Sequence, residues 1–147
     1  MGISIEIALY DTLKETVAFI DNGDRQFLDQ FNLTVPRFTV LKHTYNNPGV
    51  SLTKLSLLMR TDKSNTTRLI QNLQEEGLII RHRSETDRRT SCLYLSEKGE
   101  QLFQRALSAH EQYTRDRFAA LNFEIDNLVS NLVTINHKLE RDLARDK

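Results

Sequence analysis

Residues 52–99 read LTKLSLLMRTDKSNTTRLIQNLQEEGLIIRHRSETDRRTSCLYLSEKG, and the order of elements in this stretch decides the fold. Its apolar spacing predicts a short helix at the start and a second helix that begins after Asp62. Gly77 ends the second helix, because glycine readily adopts the left-handed conformation that follows many helices. Strands are predicted over 78–83 and 90–95, separated by six polar residues. Two helices followed by a β-hairpin make a winged helix-turn-helix.

Longer helices are predicted on both sides of this stretch. Apolar residues recur at helical spacing over 4–31, and Gly23 either separates two helices or bends one long helix. Thr34 is predicted to cap the next helix. A further helix follows the second strand, and a last helix, capped by Asn122, carries an apolar stripe over 125–143. The predicted fold class is therefore mainly α with a small β-hairpin wing.

The composition of the 147-residue chain excludes several classes of protein. Hydrophobic residues make up 39% and charged residues 27%, as in folded domains rather than disordered chains. No apolar run approaches the ~20 residues of a membrane span, and no secretory signal is recognisable. The single cysteine, Cys92, predicts a reducing, cytoplasmic location. The formal net charge is 0, but residues 54–95 carry three excess positive charges, which favours a polyanionic partner.

The helix after Asp62 has a predicted outward face of hydrogen-bonding and cationic side chains. If Thr66, Ile70 and Leu73 point inward, the opposite side faces solvent. Such a face suits double-stranded DNA, because Arg reads guanine and Asn or Gln reads adenine, while Ser and Thr suit phosphates. An ordinary solvated face is the alternative for this helix alone. The residues predicted to contact DNA from it are Lys63, Ser64, Asn65, Thr67, Arg68 and Gln71.

The predicted hairpin concentrates arginine on its first strand and at its tip. Arg81 and Arg83 share one face of the strand, from which we expect them to reach phosphates. Asp87 and Arg89 also share a face, so Asp87 is predicted to brace Arg89 for a narrow minor groove, where the potential is most negative. Arg88 points the other way and is predicted to touch at most a phosphate. The alternative is a solvated basic loop, which the adjacent polar helix makes the weaker interpretation.

Residues 52–99 resemble the winged-helix core of the MarR family of transcriptional regulators. The family pattern has a Leu-x-x-Leu short helix, Thr-Arg-Leu in the recognition helix and a Leu-x-x-x-Gly-Leu exit. The pattern continues with an arginine in the first strand and Asp-Arg-Arg at the wing. It ends with Leu-(Ser/Thr)-x-x-Gly at the start of the next helix. The matching residues are Leu52, Leu55, Thr67, Arg68, Leu69, Leu73, Gly77, Leu78, Arg81, Asp87, Arg88, Arg89, Leu95, Ser96 and Gly99.

The resemblance implies a homodimer whose first and last helices intertwine and whose recognition helices lie ~34 Å apart on a pseudo-palindromic operator. It implies a single domain over 1–147, with 34–99 as the DNA-binding lobe and 1–33 and 100–147 as dimerisation helices. The apolar stripe over 125–143 independently favours a partner, although packing within its own chain is the alternative. We therefore expect a sequence-specific DNA-binding regulator, a ligand-responsive repressor. Because the sequence lacks a phosphate loop and a nucleophile elbow, we expect no enzymatic activity and no cofactor.

The resemblance also implies that a small apolar or phenolic effector binds between the dimerisation helices and the DNA-binding lobe. Aromatic residues at helical spacing are more often core than ligand pocket, so both interpretations stay open. The candidate pocket residues are Phe38, His43, His110 and Tyr113.

Three further interpretations stay open beside this one. A zinc sensor needs three or four converging ligands, whereas the four histidines are spread over different elements and Thr114 follows His110 where the resemblance would require a ligand. An oxidant sensor would depend on Cys92, because no cysteine stands near the N-terminus, where the family's oxidant sensors carry theirs. A protein-interaction module would need an exposed apolar face on the helix after Asp62, whereas the predicted face is polar and cationic.

Overall fold

The computed structural model describes residues 2–84, 90–121 and 123–145, and contacts divide the chain into two compact units, residues 1–113 and 114–147. The elements are α1 (Ile5–Asp29), α2 (Val35–Asn46), β1 (Val50–Ser51), α3 (Leu52–Met59), α4 (Lys63–Glu75), β2 (Ile79–Arg83), β3 (Ser91–Leu95), α5 (Glu97–Phe118) and α6 (Ile125–Arg145). In the described part of the chain, no helix has the length and apolarity that a membrane span requires.

The first helix, α1, runs without interruption through Gly23, so the two-helix alternative for this segment is wrong. Within α1 only Leu28, near its end, is buried. The chain then turns at Asn32, whose φ of 53° lies in the left-handed region that asparagine tolerates better than most residues. The Thr34 side chain caps α2 as predicted, because its Oγ1 accepts a hydrogen bond from the Arg37 N–H at 3.4 Å.

Side-chain caps define the starts of α3 and α4. Ser51 Oγ accepts a hydrogen bond from the Lys54 N–H at 3.2 Å, and Asp62 Oδ1 accepts one from the Asn65 N–H at 2.8 Å. The short helix α3 ends at Met59, and Arg60 follows it with a left-handed φ of 52° that turns the chain towards α4. The turn of the predicted helix-turn-helix therefore forms.

The two predicted strands pair as an antiparallel hairpin, and a third strand joins them in the order β1–β3–β2. Ile79 lies opposite Leu95, and Val50 of β1 lies opposite Leu93. Both hairpin strands begin one residue later than predicted. Val50, Ile79 and Leu93 are all buried on the inner face of the sheet. The two-residue strand β1 was not predicted, because so short a segment shows no alternation.

The end of α4 and the start of α5 form one close contact. Gly77 has a φ of 73°, and the Leu78 N–H donates to the Leu73 carbonyl oxygen at 2.8 Å, which closes the last turn of α4. Ser96 Oγ donates to the Gly77 carbonyl oxygen at 2.6 Å and accepts from the Gly99 N–H at 2.9 Å. A Cβ on Gly99 would overlap the Leu78 carbonyl oxygen, so this approach requires glycine.

One apolar core holds the helices and the sheet of the first unit together. Thr66 is fully buried in it, and its hydroxyl donates to the Asp62 carbonyl oxygen at 3.0 Å, which satisfies the polar atom. Among the largest side chains that are completely buried are Leu28, Leu41, Leu55, Ile70, Leu73, Leu93 and Phe103.

The second unit contains the end of α5 and the whole of α6. No residue of α6 is buried, and Leu128, Leu139 and Leu143 expose 43%, 55% and 72% of their surfaces. The apolar stripe of α6 is thus exposed in the single chain. The cap predicted at Asn122 lies outside the described residues.

Candidate nucleic-acid interface

The two faces of α4 differ in burial as the sequence predicts. Thr66, Ile70 and Leu73 are buried on the inner face. The outer face presents every residue that was predicted to contact DNA from this helix. Of these, Asn65 is half-buried, and the exposed residues are Lys63, Ser64, Thr67, Arg68 and Gln71.

Asn65 connects the turn before α4 with the arginine at the centre of the helix. Its Nδ2 donates to Thr61 Oγ1 at 3.2 Å, and its Oδ1 accepts from Arg68 Nη2 at 3.1 Å. The Arg68 guanidinium is therefore oriented along the helix surface before any ligand binds. Because a guanidinium has five N–H donors, Arg68 retains donors for a second partner.

Two charged residues within α4 oppose its helix dipole, whereas the Asp62 carboxylate at its N-cap agrees with the dipole. Carboxylates are favourable near a helix N-terminus and cations near a C-terminus, each typically by 0.3–1 kcal/mol. The first turn of α4 contains no acidic residue and its last turn no basic residue. Lys63 is its first residue and Glu75 its last, so both charges stand at the unfavourable end. The placement of Lys63 and Glu75 costs stability, and the Asp62 carboxylate at the N-cap offsets part of that cost.

The C-terminal end of α4 forms an ion pair with α2 and a hydrogen bond with α5. The Arg37 guanidinium pairs with the Glu76 carboxylate and also donates to the Asn32 carbonyl oxygen at 3.3 Å. Lys98 Nζ donates to the Glu76 carbonyl oxygen at 2.8 Å. The acidic end of the helix is therefore engaged within the protein.

The strand β2 carries the two predicted strand arginines, and both are exposed. Arg81 lies opposite Leu93 and Arg83 lies opposite Ser91, on the sheet face whose other end belongs to the core. That face thus changes from apolar to cationic along β2. Outside the described residues lie the three predicted wing residues, Asp87, Arg88 and Arg89.

Three of the four candidate pocket residues come together around α5. The ring centroids of Phe38 and His110 are 5.3 Å apart, and Tyr113 stacks on Phe27 at 4.4 Å. Phe27 also meets His110 at 5.8 Å. These are distances of direct ring packing. We call Phe27, Phe38, His110 and Tyr113 the aromatic group.

A carboxylate that sequence reasoning missed faces this group. His110 Nε2 lies 3.1 Å from Asp24 Oδ1, an ion-pair distance without the alignment of a hydrogen bond. Asp24 belongs to α1 and His110 to α5, so only the packing of these two distant helices brings the pair together. Spacing along the sequence therefore contained no signal for it.

The remaining candidate pocket residue, His43, and the candidate redox residue, Cys92, lie apart from the aromatic group. No ring contact joins His43 to the aromatic group in the part of the chain that the structure describes. Burial, together with the charge of Lys42, lowers the pKa of His43 below its ordinary value. Cys92 is half-buried and lies opposite His82 on the sheet. Among the described residues, no group of three His, Cys, Asp or Glu side chains is placed to hold a metal ion.

Comparison with known proteins identifies the family. A family model described as transcriptional regulator SarA/Rot matches residues 25–106, which is more than half of the chain. The chain belongs to the SarA/Rot family of transcriptional regulators. The HTH-type transcriptional regulator YsmB of Bacillus subtilis (strain 168) is 29% identical to this SarA/Rot regulator over 131 residues, which cover 88% of this chain and 90% of YsmB.

Solved structures show the same fold as this SarA/Rot regulator. The transcriptional regulator SlyA gives a TM-score of 0.82 at 21% identity, with 95% of this chain and 99% of that chain covered. The transcriptional repressor CouR, solved bound to a 23-mer DNA duplex, gives a TM-score of 0.81 at 27% identity, with 92% and 99% covered. The predicted MarR-family membership and fold class are confirmed. The protein is a DNA-binding transcriptional regulator and, like its family and relatives, not an enzyme.

Sequence reasoning also missed part of the surface beside α4 in this SarA/Rot regulator. Four residues that carry hydroxyl groups, from separate segments, line a cavity together with Leu52, Lys63 and Arg81. No motif or spacing joined the four in the sequence, because β1 was not predicted and the cavity forms only when the sheet packs beside the helices. The four are Ser51, Thr53, Thr90 and Ser91.

Proposed function

We propose that the protein binds a pseudo-palindromic operator in the cytoplasm as a homodimer and represses transcription there. The outer face of α4 is the observation that carries this proposal. Its N-terminal half presents the cations Lys63 and Arg68, while Glu76 at the other end pairs with Arg37. A helix whose cations oppose its own dipole is expected where a polyanion supplies the compensating charge.

In this proposal the N-terminal half of α4 enters the major groove. The three side chains with amide or guanidinium groups face base edges, because these groups form the paired hydrogen bonds that distinguish bases. Asn65 orients Arg68 for this contact through the 3.1 Å hydrogen bond, and Gln71 lies one turn further on. Lys63, Ser64 and Thr67 contact phosphates, which set the register on the duplex.

The hairpin is proposed as the wing that flanks the recognition helix. Arg81 and Arg83 contact phosphates from β2. Asp87 braces Arg89 for the minor groove, and Arg88 reaches a phosphate. The support for the tip residues is the alternation of the sequence, because residues two apart in an extended segment share a face.

The homodimer is proposed from the apolar surfaces that the single chain exposes. On α6, the apolar residues Leu128, Leu132, Ile135 and Leu139 follow each other at intervals of four and three, the spacing of a helix seam that packs against another helix. On α1, Ile5, Leu9 and Val17 expose 77%, 48% and 55% of their surfaces. Surfaces of this kind mark interaction sites. We accordingly assign 1–147 to one domain, with 34–99 as the DNA-binding lobe and 1–33 and 100–147 as dimerisation helices.

A small apolar or phenolic effector is proposed to act at the aromatic group, with His43 at its margin. Small-molecule sites combine mostly apolar walls with a few polar groups, and the pair His110–Asp24 supplies such a polar group beside the rings. The rings are in direct contact, so an effector has to separate them. Binding would thereby shift the helices that carry them, which is a means of changing DNA affinity.

Selection of bound duplexes from fragmented genomic DNA tests the proposal directly. We expect enriched fragments to contain two similar half-sites whose centres lie about one helical turn apart. Sedimentation should give a dimer at micromolar protein, and transcription in vitro from an enriched fragment should fall when the protein is added. Enrichment of single half-sites by a monomer would contradict the dimer, and increased transcription would contradict repression.

A further inference from the structure

The strand β2 lies at one edge of the three-stranded sheet, and its second edge pairs with no strand in the part of the chain that the structure describes. The Ser84 N–H donates to the Thr90 carbonyl oxygen at 2.9 Å, so Ser84 directs its backbone groups towards the β3 side. This direction alternates along an antiparallel strand. The N–H and C=O groups of Arg81 and Arg83 therefore point away from β3, towards the open edge.

The two faces of the sheet differ in chemistry along this edge. Ile80 and its cross-strand neighbour Tyr94 are both exposed on one face, and the Tyr94 ring meets the His82 ring edge-on at 5.7 Å. Arg81 and Arg83 are exposed on the other face. Because successive residues of a strand point to opposite faces, the open edge alternates between apolar or aromatic side chains and cationic ones.

We propose that the open edge of β2 binds an extended segment of a partner protein in which acidic and apolar residues alternate. A segment added as a further strand bonds to the free backbone groups, while its side chains supply specificity. Acidic residues opposite Arg81 and Arg83 pair with the guanidinium groups, and apolar residues between them pack against Ile80 and Tyr94. The added strand runs antiparallel, as do the other pairs of this sheet.

A second copy of this chain does not suit the same edge. Antiparallel pairing of two β2 strands through their open edges would bring Arg81 and Arg83 of one copy opposite the same arginines of the other. Like charges directly opposite each other destabilise a strand pair, and charged residues on edge strands protect proteins against self-association. The same charges attract an acidic strand, so charge complementarity selects the partner.

Binding of such a segment should compete with DNA. The proposed function places Arg81 and Arg83 on DNA phosphates, and the competition expected here rests on that placement. A guanidinium that pairs with a carboxylate of the added strand has fewer donors for a phosphate, and the added carboxylates repel the backbone. A partner protein that presents this segment would therefore release the regulator from its operator.

A capped synthetic peptide of sequence Glu-Val-Glu-Val-Glu-Val-Glu serves as the probe. With the full-length protein in low salt, calorimetry should show saturable binding with a dissociation constant below about 1 mM. A peptide with glutamine in place of each glutamate should bind about fivefold more weakly or worse, because it cannot form the charge pairs. No saturable binding of the glutamate peptide up to millimolar concentration would overturn the proposal.

Methylation of peptide nitrogens separates strand addition from simple attraction of charge. In an antiparallel pair, the glutamates opposite the arginines donate their N–H groups to β2, whereas the intervening valines direct theirs away. Methylated glutamate nitrogens should therefore weaken binding about tenfold or more, and methylated valine nitrogens should have little effect. Equal affinities of the two methylated peptides would show that no strand is added.

Amide hydrogen exchange locates the peptide on the protein. The Arg81 and Arg83 amides should exchange about tenfold more slowly when the peptide is bound, because they gain hydrogen bonds. The Ile80 and His82 amides already face β3 and should change little. Unchanged exchange at both arginines would overturn the proposal. If both amides are already protected without peptide, in an assembly larger than a dimer by sedimentation, a second copy occupies the edge and the proposal fails.

The double variant Arg81→Gln/Arg83→Gln tests the charge pairs from the protein side. We expect it to remain folded by circular dichroism and to bind the peptide about fivefold more weakly. The matched control is Arg25→Gln/Arg105→Gln, which removes the same charge from exposed positions on α1 and α5 and should bind as the wild type does. Equal losses in the two double variants would show that the peptide responds only to the total charge.

Fluorescence anisotropy with a selected duplex distinguishes failure of this inference from failure of the proposed function. The glutamate peptide should displace the duplex, and its glutamate-methylated form should not. A protein that binds the duplex but not the peptide refutes only the edge site. A protein that binds the peptide but no duplex refutes only the proposed function. Peptide binding that leaves DNA affinity unchanged would overturn the competition.

Discussion

Replacing Lys63 by glutamate should stabilise the folded protein and weaken its binding to DNA. Lys63 is the first residue of α4, where the helix dipole disfavours a cation and favours a carboxylate. Each of these two effects is worth about 0.3–1 kcal/mol, and the exposure of Lys63 and the neighbouring Asp62 carboxylate place the sum at the lower end, about 0.6–1 kcal/mol. For a chain of this size, 1 kcal/mol corresponds to about 2–4 °C in the melting temperature.

The same substitution should reduce DNA affinity by more than it changes stability. It removes one contact to the phosphate backbone and introduces a repulsive charge. The negative slope of log affinity against log salt should therefore become shallower by at least about 1. At physiological salt we expect a loss of about tenfold or more. Fluorescence anisotropy across a salt series measures the slope, and urea unfolding at one fixed protein concentration measures the stability, because the stability of a dimer depends on concentration.

The control is Lys42→Glu on α2, which makes the same change of charge away from a helix N-terminus and should not raise the urea midpoint. A lower midpoint for Lys63→Glu at unchanged m value would show that this lysine supports the fold, and the dipole argument would be wrong. Unchanged affinity and salt slope would show that Lys63 does not face the phosphate backbone.

Three further experiments test separate features of the protein. Arg68→Ala should relax base preference in competition binding by ~1–3 kcal/mol of discrimination, while Lys63→Ala should weaken all duplexes similarly; equal losses for Arg68→Ala on operator and random DNA would contradict a base contact. Leu132→Ala with Leu139→Ala should abolish the dimer in sedimentation, since each large-to-small change at a buried interface costs ~2–5 kcal/mol; a persistent dimer would exclude α6 as its main interface. His43 has a pKa below its ordinary value of about 6.5, so the unfolded chain binds more protons, and its contribution to stability is present above that value and lost as the pH falls through the folded pKa. Urea unfolding between about pH 5 and 8 should show a weaker pH dependence for His43→Gln, and an unchanged dependence would assign it to other groups.

The sequence predicted the DNA-binding lobe well because its signals are local. The cap at Thr34, the helix start after Asp62, the glycine after α4 and the apolar spacing within each helix all act over three or four residues, and the structure forms each of them. Local signals also left open whether residues 4–31 form one helix or two. Gly23 lowers local helix propensity but does not interrupt α1, because a single glycine costs only ~1 kcal/mol in a helix.

The contacts that could not be predicted all join elements that are distant in sequence. The strand β1 has two residues and exists because Val50 and Ser51 pair with β3, so its own sequence holds no strand signal. The pair His110–Asp24 depends on the packing of α1 against α5. The cavity at Lys63 and Arg81 likewise needs the sheet and two helix starts in place. The sequence identified three residues of the aromatic group, Phe38, His110 and Tyr113. Their spacing along the sequence could not show how far apart the rings lie, which decides whether they line a pocket or pack together.

The C-terminal end of α4 makes contacts that fix the helix in the fold, whereas its N-terminal end presents the residues proposed to contact DNA. The C-terminal end is joined to the rest of the lobe by the ion pair of Glu76 with Arg37, by the hydrogen bond from Lys98 and by the close approach of Gly99 to Leu78. The N-terminal end has its Asp62 cap and presents polar side chains to solvent. The helix can carry unfavourable charges on the exposed face of its N-terminal half, because the contacts that fix it, including buried Thr66, do not involve them. Base-contacting residues of the N-terminal half can therefore change with little effect on the fold, whereas changes at the C-terminal junction should reorient the whole helix.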